Sequence, residues 1–135
     1  MADDDSPTPD IDRLLQQRAQ TALQQVPLSA GQTVVLARGP QVVAHRGDLK
    51  PTEAQDVAGH VADSWQERGQ TARIQFMRLP LLADERLLYT LPLEDGYFLT
   101  VVEGSDVPLS RVSALARQLA ALLERAGLKR YTSAL

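Results

Sequence analysis

The chain contains no cysteine, which excludes a disulfide scaffold, thiolate zinc sites and a cysteine nucleophile. It also lacks a basic excess. Its 14 Lys+Arg stand against 17 Asp+Glu, a formal net charge of −3 with a pI near 5.3, which argues against an electrostatic grip on nucleic acid. No apolar run approaches the roughly 20 residues that cross a bilayer. A secretory leader needs basic residues followed by about 7–15 apolar ones, whereas the first ten residues carry Asp3, Asp4, Asp5, Ser6, Pro7 and Pro9. A cytoplasmic address is the resulting expectation. Glycines 31, 39, 47, 59 and 69 are isolated, with no phosphate-loop or dinucleotide spacing, and no Gly-x-Ser-x-Gly elbow presents a serine.

What is present is an ordinary globular mix, 44% apolar and 23% charged over 135 residues, enough for one domain that buries about two-thirds of its unfolded surface. Ile11, Leu14, Leu15, Ala19, Ala22, Leu23 and Val26 recur at helical steps and predict a first helix from about Pro9 to Val26, ended by Pro27. Two apolar runs, Thr33–Ala37 and Gln41–His45, flank Arg38-Gly39-Pro40 and read as strands covered on both faces. Ala54, Val57, Ala58, Val61, Ala62 and Trp65 form the stripe of a second helix begun by Pro51, with Glu53 near its positive end and Gly69 as its stop. Three strands follow, Ala72–Leu79, Arg86–Pro92 and Tyr97–Glu103, the last two joined by Glu94-Asp95-Gly96, a strong hairpin signal. A last helix is expected from Val107 to Ala126, with Asp106 as its cap and Gly127 as its stop.

The expected architecture is therefore an α/β (α+β) domain with an antiparallel sheet covered on two faces, in the order α-β-β-α-β-β-β-α. Residues 9–127 form the domain, 1–8 a mobile acidic tail that aids solubility, and 128–135 a frayed end.

Few residues suggest chemistry. Glu53, Asp56, His60, Asp63 and Glu67 lie at helical spacing, a pattern that can share a divalent metal. All sit on one helix, though, and the simpler reading is a solvated acidic face. His45 reads as a half-exposed filler. No catalytic, metal or cofactor-binding residue is assigned, and the chain is read as not an enzyme, with no nucleic-acid partner. The small residues Ala58, Gly59 and Ala62 on one helix face permit close approach of another backbone, and Trp65 is either core or an interface anchor. In the third strand Ile74 and Phe76 point one way and Arg73, Gln75 and Met77 the other, with Arg78 following. Arginines at both ends suit a sheet edge, either guarded against pairing or pairing with its own copy.

The hairpin Thr33–His45 with Gly47-Asp48-Leu49, the alanine-rich helix Glu53–Ala62, the pair Leu87–Pro92 and Gly96–Val102, and the long final helix together resemble the roadblock (dynein light chain) family in a bacterial-type, stand-alone form. The resemblance spans roughly Ile11 to Arg125. The turn Arg38-Gly39-Pro40 departs from the acidic residue and glycine usual in the family. The resemblance implies a five-stranded antiparallel sheet, with the second helix on one face and the first and last on the other. It also implies a homodimer, or a dimer with a related chain, in which third strands pair into one ten-stranded sheet and second helices pack together. Ala58, Gly59, Ala62, Trp65, Arg73, Gln75, Phe76 and Met77 are the interface candidates on that reading. Roadblock proteins are non-catalytic and regulate or scaffold small Ras-like GTPases or larger signalling and motor complexes. The competing class is a small-molecule sensor of the PAS or GAF kind, which needs an enclosed hollow of roughly 300 Å³ or more.

Overall fold

The computed structural model describes residues 8–64, 72–78 and 85–130. Their elements are α1 (Thr8–Gln24), β1 (Thr33–Arg38), β2 (Gln41–Gly47), α2 (Pro51–Ser64), β3 (Arg73–Arg78), β4 (Glu85–Pro92), β5 (Tyr97–Gly104) and α3 (Leu109–Arg125). The strands form one antiparallel sheet in the order β2-β1-β5-β4-β3. Both the element order and the covering of two sheet faces match the expected fold class.

Alternation along the strands divides the core in two. Val34 and Leu36 of β1, Leu87, Tyr89 and Leu91 of β4, and Leu99 and Val101 of β5 pack beneath α1 and α3. Val35, Ala37, Leu88 and Val102 face the other way, beneath Ala54, Val57, Ala58 and Val61 of α2. β1 is buried at all but its last residue, as its unbroken apolar run predicts. β2 differs from the two-face reading, because it is an edge strand and only Ala44 is fully buried. On the α2 face, Thr90 and Thr100 are buried and share a hydroxyl hydrogen bond of 2.9 Å across β4 and β5. On the opposite face, the buried Glu103 accepts from Gln32 Nε2 at 2.8 Å, and Gln32 Oε1 accepts from the Ser29 amide at 2.6 Å. These pairings matter because a buried polar group without a partner costs about 1–3 kcal/mol.

The helix ends show local chemistry at work. α1 stops at Gln24, two residues before the predicted end, and Arg46 Nη1 from β2 donates to the carbonyls of Leu23 and Val26 there. A guanidinium on the last carbonyls also complements the negative end of the helix dipole. At the start of α2, Lys50 O accepts from the Ala54 amide and Glu53 Oε1 accepts from the Lys50 amide at 3.0 Å. This is the returning half of a capping box. Glu53 is accordingly buried rather than part of a solvated acidic face.

Two expectations at the C-terminal end change. α3 begins at Leu109 with Pro108 at its N-cap and no side-chain cap bond, so Asp106 does not cap it. At the far end the Leu128 amide donates to Leu123 O at 2.9 Å and the Gly127 amide to Glu124 O at 3.0 Å, with Gly127 at φ 112°. That is a Schellman closure, which places the following apolar residue against the helix. Leu128 is buried, Lys129 O accepts from the Glu94 amide, and Arg130 bridges Leu93. Residues 128–130 are therefore docked, where the sequence reading expects fraying. Residues 1–7 and 131–135 lie outside the described residues.

Asp95 and Gly96 both have positive φ (62° and 80°), as a tight Asp-Gly hairpin requires. Gly47 is more constrained. It lies at φ 125°, and a Cβ there would sit 2.3 Å from Gln32 O and 2.6 Å from Thr33 Cα. Around it, the Leu49 amide donates to Thr33 Oγ1 and the Gly31 amide to Asp48 Oδ2. This knot fixes the entry to α2 against β1. Gly47→Ala is expected to cost roughly 2–5 kcal/mol in urea unfolding, combining strain at positive φ with overpacking. Gly59→Ala, a helical site with nothing within 4 Å of the added carbon, should instead stabilise the monomer fold by about 0.5–1 kcal/mol.

Candidate interaction surface at the open sheet edge

The two outer strands of the sheet are treated differently. At β2, Gln16 Nε2 from α1 donates to Val43 O at 2.9 Å, and Gln55 Nε2 from α2 donates to Pro40 O beside it. A register shift at Leu36/Ala37 further disrupts that side of the sheet. The chain's own side chains thus occupy one carbonyl of the edge strand and one in the adjoining turn, one way in which proteins discourage edge pairing.

At β3 no partner strand lies outside the ladder to β4 among the described residues. Its alternation is inverted for a monomer. Arg73, Gln75 and Met77 are half-buried, whereas Ile74 and Phe76 are 44% and 52% exposed. Ile74 stands opposite Tyr89 and Phe76 opposite Leu87, both buried in the α1/α3 core. The apolar layer under α1 and α3 thus continues onto a strand that neither helix covers. Exposed β-branched and aromatic residues on an uncapped edge favour pairing with another strand.

The polar face of β3 is tied to the end of α2. Ser64 O accepts from Arg73 Nη1, and Ser64 Oγ accepts from Gln75 Nε2 at 2.6 Å while donating to His60 O or Val61 O. Met77 packs against the α2-side cluster. Gln75 Oε1 is buried and has no hydrogen-bond partner among the described residues.

Along α2 the interface candidates separate. Ala58 is 2% exposed and faces the sheet, so it belongs to the core and not to an outer contact. Gly59 and Ala62, beside the sheet-facing row, are both half-buried, and Gly59 has empty space beside it. Trp65, Glu67 and Gly69 lie outside the described residues. Arg73, Gln75, Phe76 and Met77 all come together on β3. Ile74, singled out for its direction but not as an interface residue, belongs with Phe76, and the two-residue alternation carried that signal.

Asp56 and Asp63 are exposed and His60 half-buried. Among the described residues no group of three or more His, Asp or Glu side chains is placed to hold a metal ion. None of their helices is long and apolar enough to cross a membrane.

No family model matches the sequence, and no curated protein matches it. Solved structures do. The gliding protein MglB from Thermus thermophilus is 22% identical, with 83% of this chain and 90% of that chain covered at a TM-score of 0.57. An MglB structure with a tetrameric arrangement is 22% identical over 83% and 92%, with a TM-score of 0.56. A Roadblock/LC7 domain from Streptomyces avermitilis is 20% identical over 78% and 88%, with a TM-score of 0.49. The chain has the roadblock-type fold that its sequence resemblance implies.

Two substitutions separate core from surface. Ala58→Glu should prevent folding, by forcing a charge into the layer between α2 and the sheet; circular dichroism reads the loss. Ser64→Ala should cost about 1–3 kcal/mol in chemical denaturation, since it leaves the Gln75 amide without either partner.

Proposed function

We propose that this chain is a non-catalytic, self-associating interaction module that regulates or scaffolds a small Ras-like GTPase. The observation that carries self-association is the contrast between the edges: β2 is tied at its margin by Gln16 and Gln55, whereas β3 has no outer partner strand among the described residues and exposes Ile74 and Phe76. Two copies pair their β3 strands antiparallel about a twofold axis, which satisfies the outer backbone groups of both at once. The ten-stranded sheet that results brings the α2 helices side by side, where Gly59 and Ala62 allow close approach and Arg73, Gln75 and Met77 line the seam below. Trp65, next in sequence after Ser64, is the remaining candidate for that contact.

The GTPase half rests on the roadblock resemblance, and the fold shared with the MglB structures is in keeping with it. In mechanism, the paired surface prefers one nucleotide state and so shifts the populations of the switch loops. The sensor reading is not favoured. Both sheet faces are filled by side chains, and a groove of about 490 Å³ opens on the outer surface of α1 and α3 rather than between helices and sheet.

Phe76→Asp with Ile74→Asp should weaken self-association about tenfold or more, at least about 1.4 kcal/mol, while the doubly substituted chain stays folded. Sedimentation equilibrium measures this, and a chain that is monomeric before substitution overturns the β3 pairing. Affinity capture with GDP in one arm and a non-hydrolysable GTP analogue in the other should enrich a Ras-like GTPase in one arm. Equal recovery would indicate a scaffold. Recovery of none, with the bait folded and dimeric, removes the GTPase role and leaves the pairing.

A further inference from the structure

The side chains of β3 are close to symmetric about Gln75. Ile74 and Phe76, the strand's exposed apolar residues, flank it, and Arg73 and Met77 flank them in turn on the Gln75 face. Gln75 is half-buried on the α2 side of the sheet, and its Oε1 is buried with no hydrogen-bond partner among the described residues. Its Nε2 donates one hydrogen to Ser64 Oγ at 2.6 Å, and the second has no acceptor among the described residues. One amide acceptor and one amide donor are thus left unmatched at the middle of the open strand.

Two antiparallel strands related by a twofold axis normal to the sheet place one residue opposite its own copy, and that residue fixes every other pair. Side chains that meet must also share a face. With Phe76 at the axis, Ile74 stands opposite the partner's Arg78 and Gln75 opposite the partner's Met77. With Ile74 at the axis, Phe76 stands opposite the partner's Ala72. Only with Gln75 at the axis do all the exposed apolar side chains meet, Ile74 of each copy against Phe76 of the other. Aromatic and β-branched residues so placed stabilise a sheet. Arg73 then lies beside the partner's Met77, and no arginine opposes another.

We infer that Gln75 sets the register in which a second copy of this chain pairs with β3: the two carboxamides face each other across the twofold axis, each Oε1 accepting from the partner's Nε2. The inference rests on the β3 pairing proposed above and adds the alignment and the residue that selects it. Each amide keeps its bond to Ser64 Oγ, so the end of α2 steadies the pair in both copies. Moving the axis to Phe76 sets Met77 against each amide and leaves its buried acceptor unpaired, which is costly. The amide pair therefore discriminates between alignments, where apolar contact alone tolerates slippage.

The lack of cysteine allows a direct test by single substitutions in the full chain. Directly opposed residues of an antiparallel pair lie about 4.5–5.5 Å apart between Cα atoms, within disulfide reach. Positions two residues out of register are about 8 Å apart and beyond it. Under mild oxidation Gln75→Cys should therefore crosslink to its copy. Ile74→Cys and Phe76→Cys should each fail alone but crosslink to one another when mixed and allowed to exchange. Gln75→Glu, with circular dichroism reporting the fold, should weaken self-association about tenfold or more at neutral pH, because like charges then stand opposite. Self-crosslinking of Phe76→Cys or Ile74→Cys would move the axis and overturn the register while leaving the β3 pairing. An unchanged dimer constant in a folded Gln75→Glu chain would overturn the amide pair. No crosslink at any of the three positions, in a chain that sedimentation equilibrium finds dimeric, would take the interface off β3 and overturn pairing and register together. A monomeric parent chain would do the same.

Discussion

A five-stranded antiparallel sheet has two outer rows of backbone donors and acceptors, and the organisation of this molecule follows from closing one and leaving the other. Gln16 and Gln55 reach from helices on opposite faces to carbonyls at the β2 side. Arg46, on β2 itself, is drawn down to the end of α1. Three side chains that look like ordinary surface residues therefore anchor both helix layers to one margin of the sheet. The opposite margin has its polar side chains folded inward onto Ser64 and its apolar ones turned outward. Among the described residues, only one margin has such ties.

Much of this is legible in the sequence, for identifiable reasons. The two- and 3.6-residue periods depend on burial, and burial is what the apolar residues of β1, β4, β5 and α3 record. The Asp95-Gly96 turn is legible because few residue pairs accept positive φ twice in succession. Ala58 is less readable. Helical spacing states which residues share a face but not which neighbour the face meets, so Ala58 and Gly59 look alike until the sheet is placed beneath them. Arg46 illustrates the same limit, because a cation within a strand gives no sign that a helix terminus lies within its reach. The docking of 128–130 does leave a trace, an apolar Leu128 directly after Gly127, where a Schellman closure seats its hydrophobic contact.

The open edge is visible as a pattern before it is visible as a surface. Ile74 and Phe76 alternate with Arg73, Gln75 and Met77, and in a half-covered strand the apolar set is ordinarily the hidden one. Only the strand order shows that the helices covering Tyr89 and Leu87 stop short of β3. That inversion distinguishes an unfinished edge from a merely terminal one.

α2 is held at both ends. Its beginning is tied to β1 through Thr33 and Leu49, its second turn reaches Pro40 through Gln55, and Ser64 grips Arg73 and Gln75 of β3. Between those attachments it spans the sheet from its closed margin to its open one. Ladder hydrogen bonds resist sliding because they are loaded together, but yield one by one to peeling at an edge; a rod fastened at both sides of the sheet adds a second attachment there. The outermost strand is thereby held in register by a member that also touches the opposite rim. A strand that another chain would engage thus has its support anchored, through α2, as far away as the β1–β2 turn.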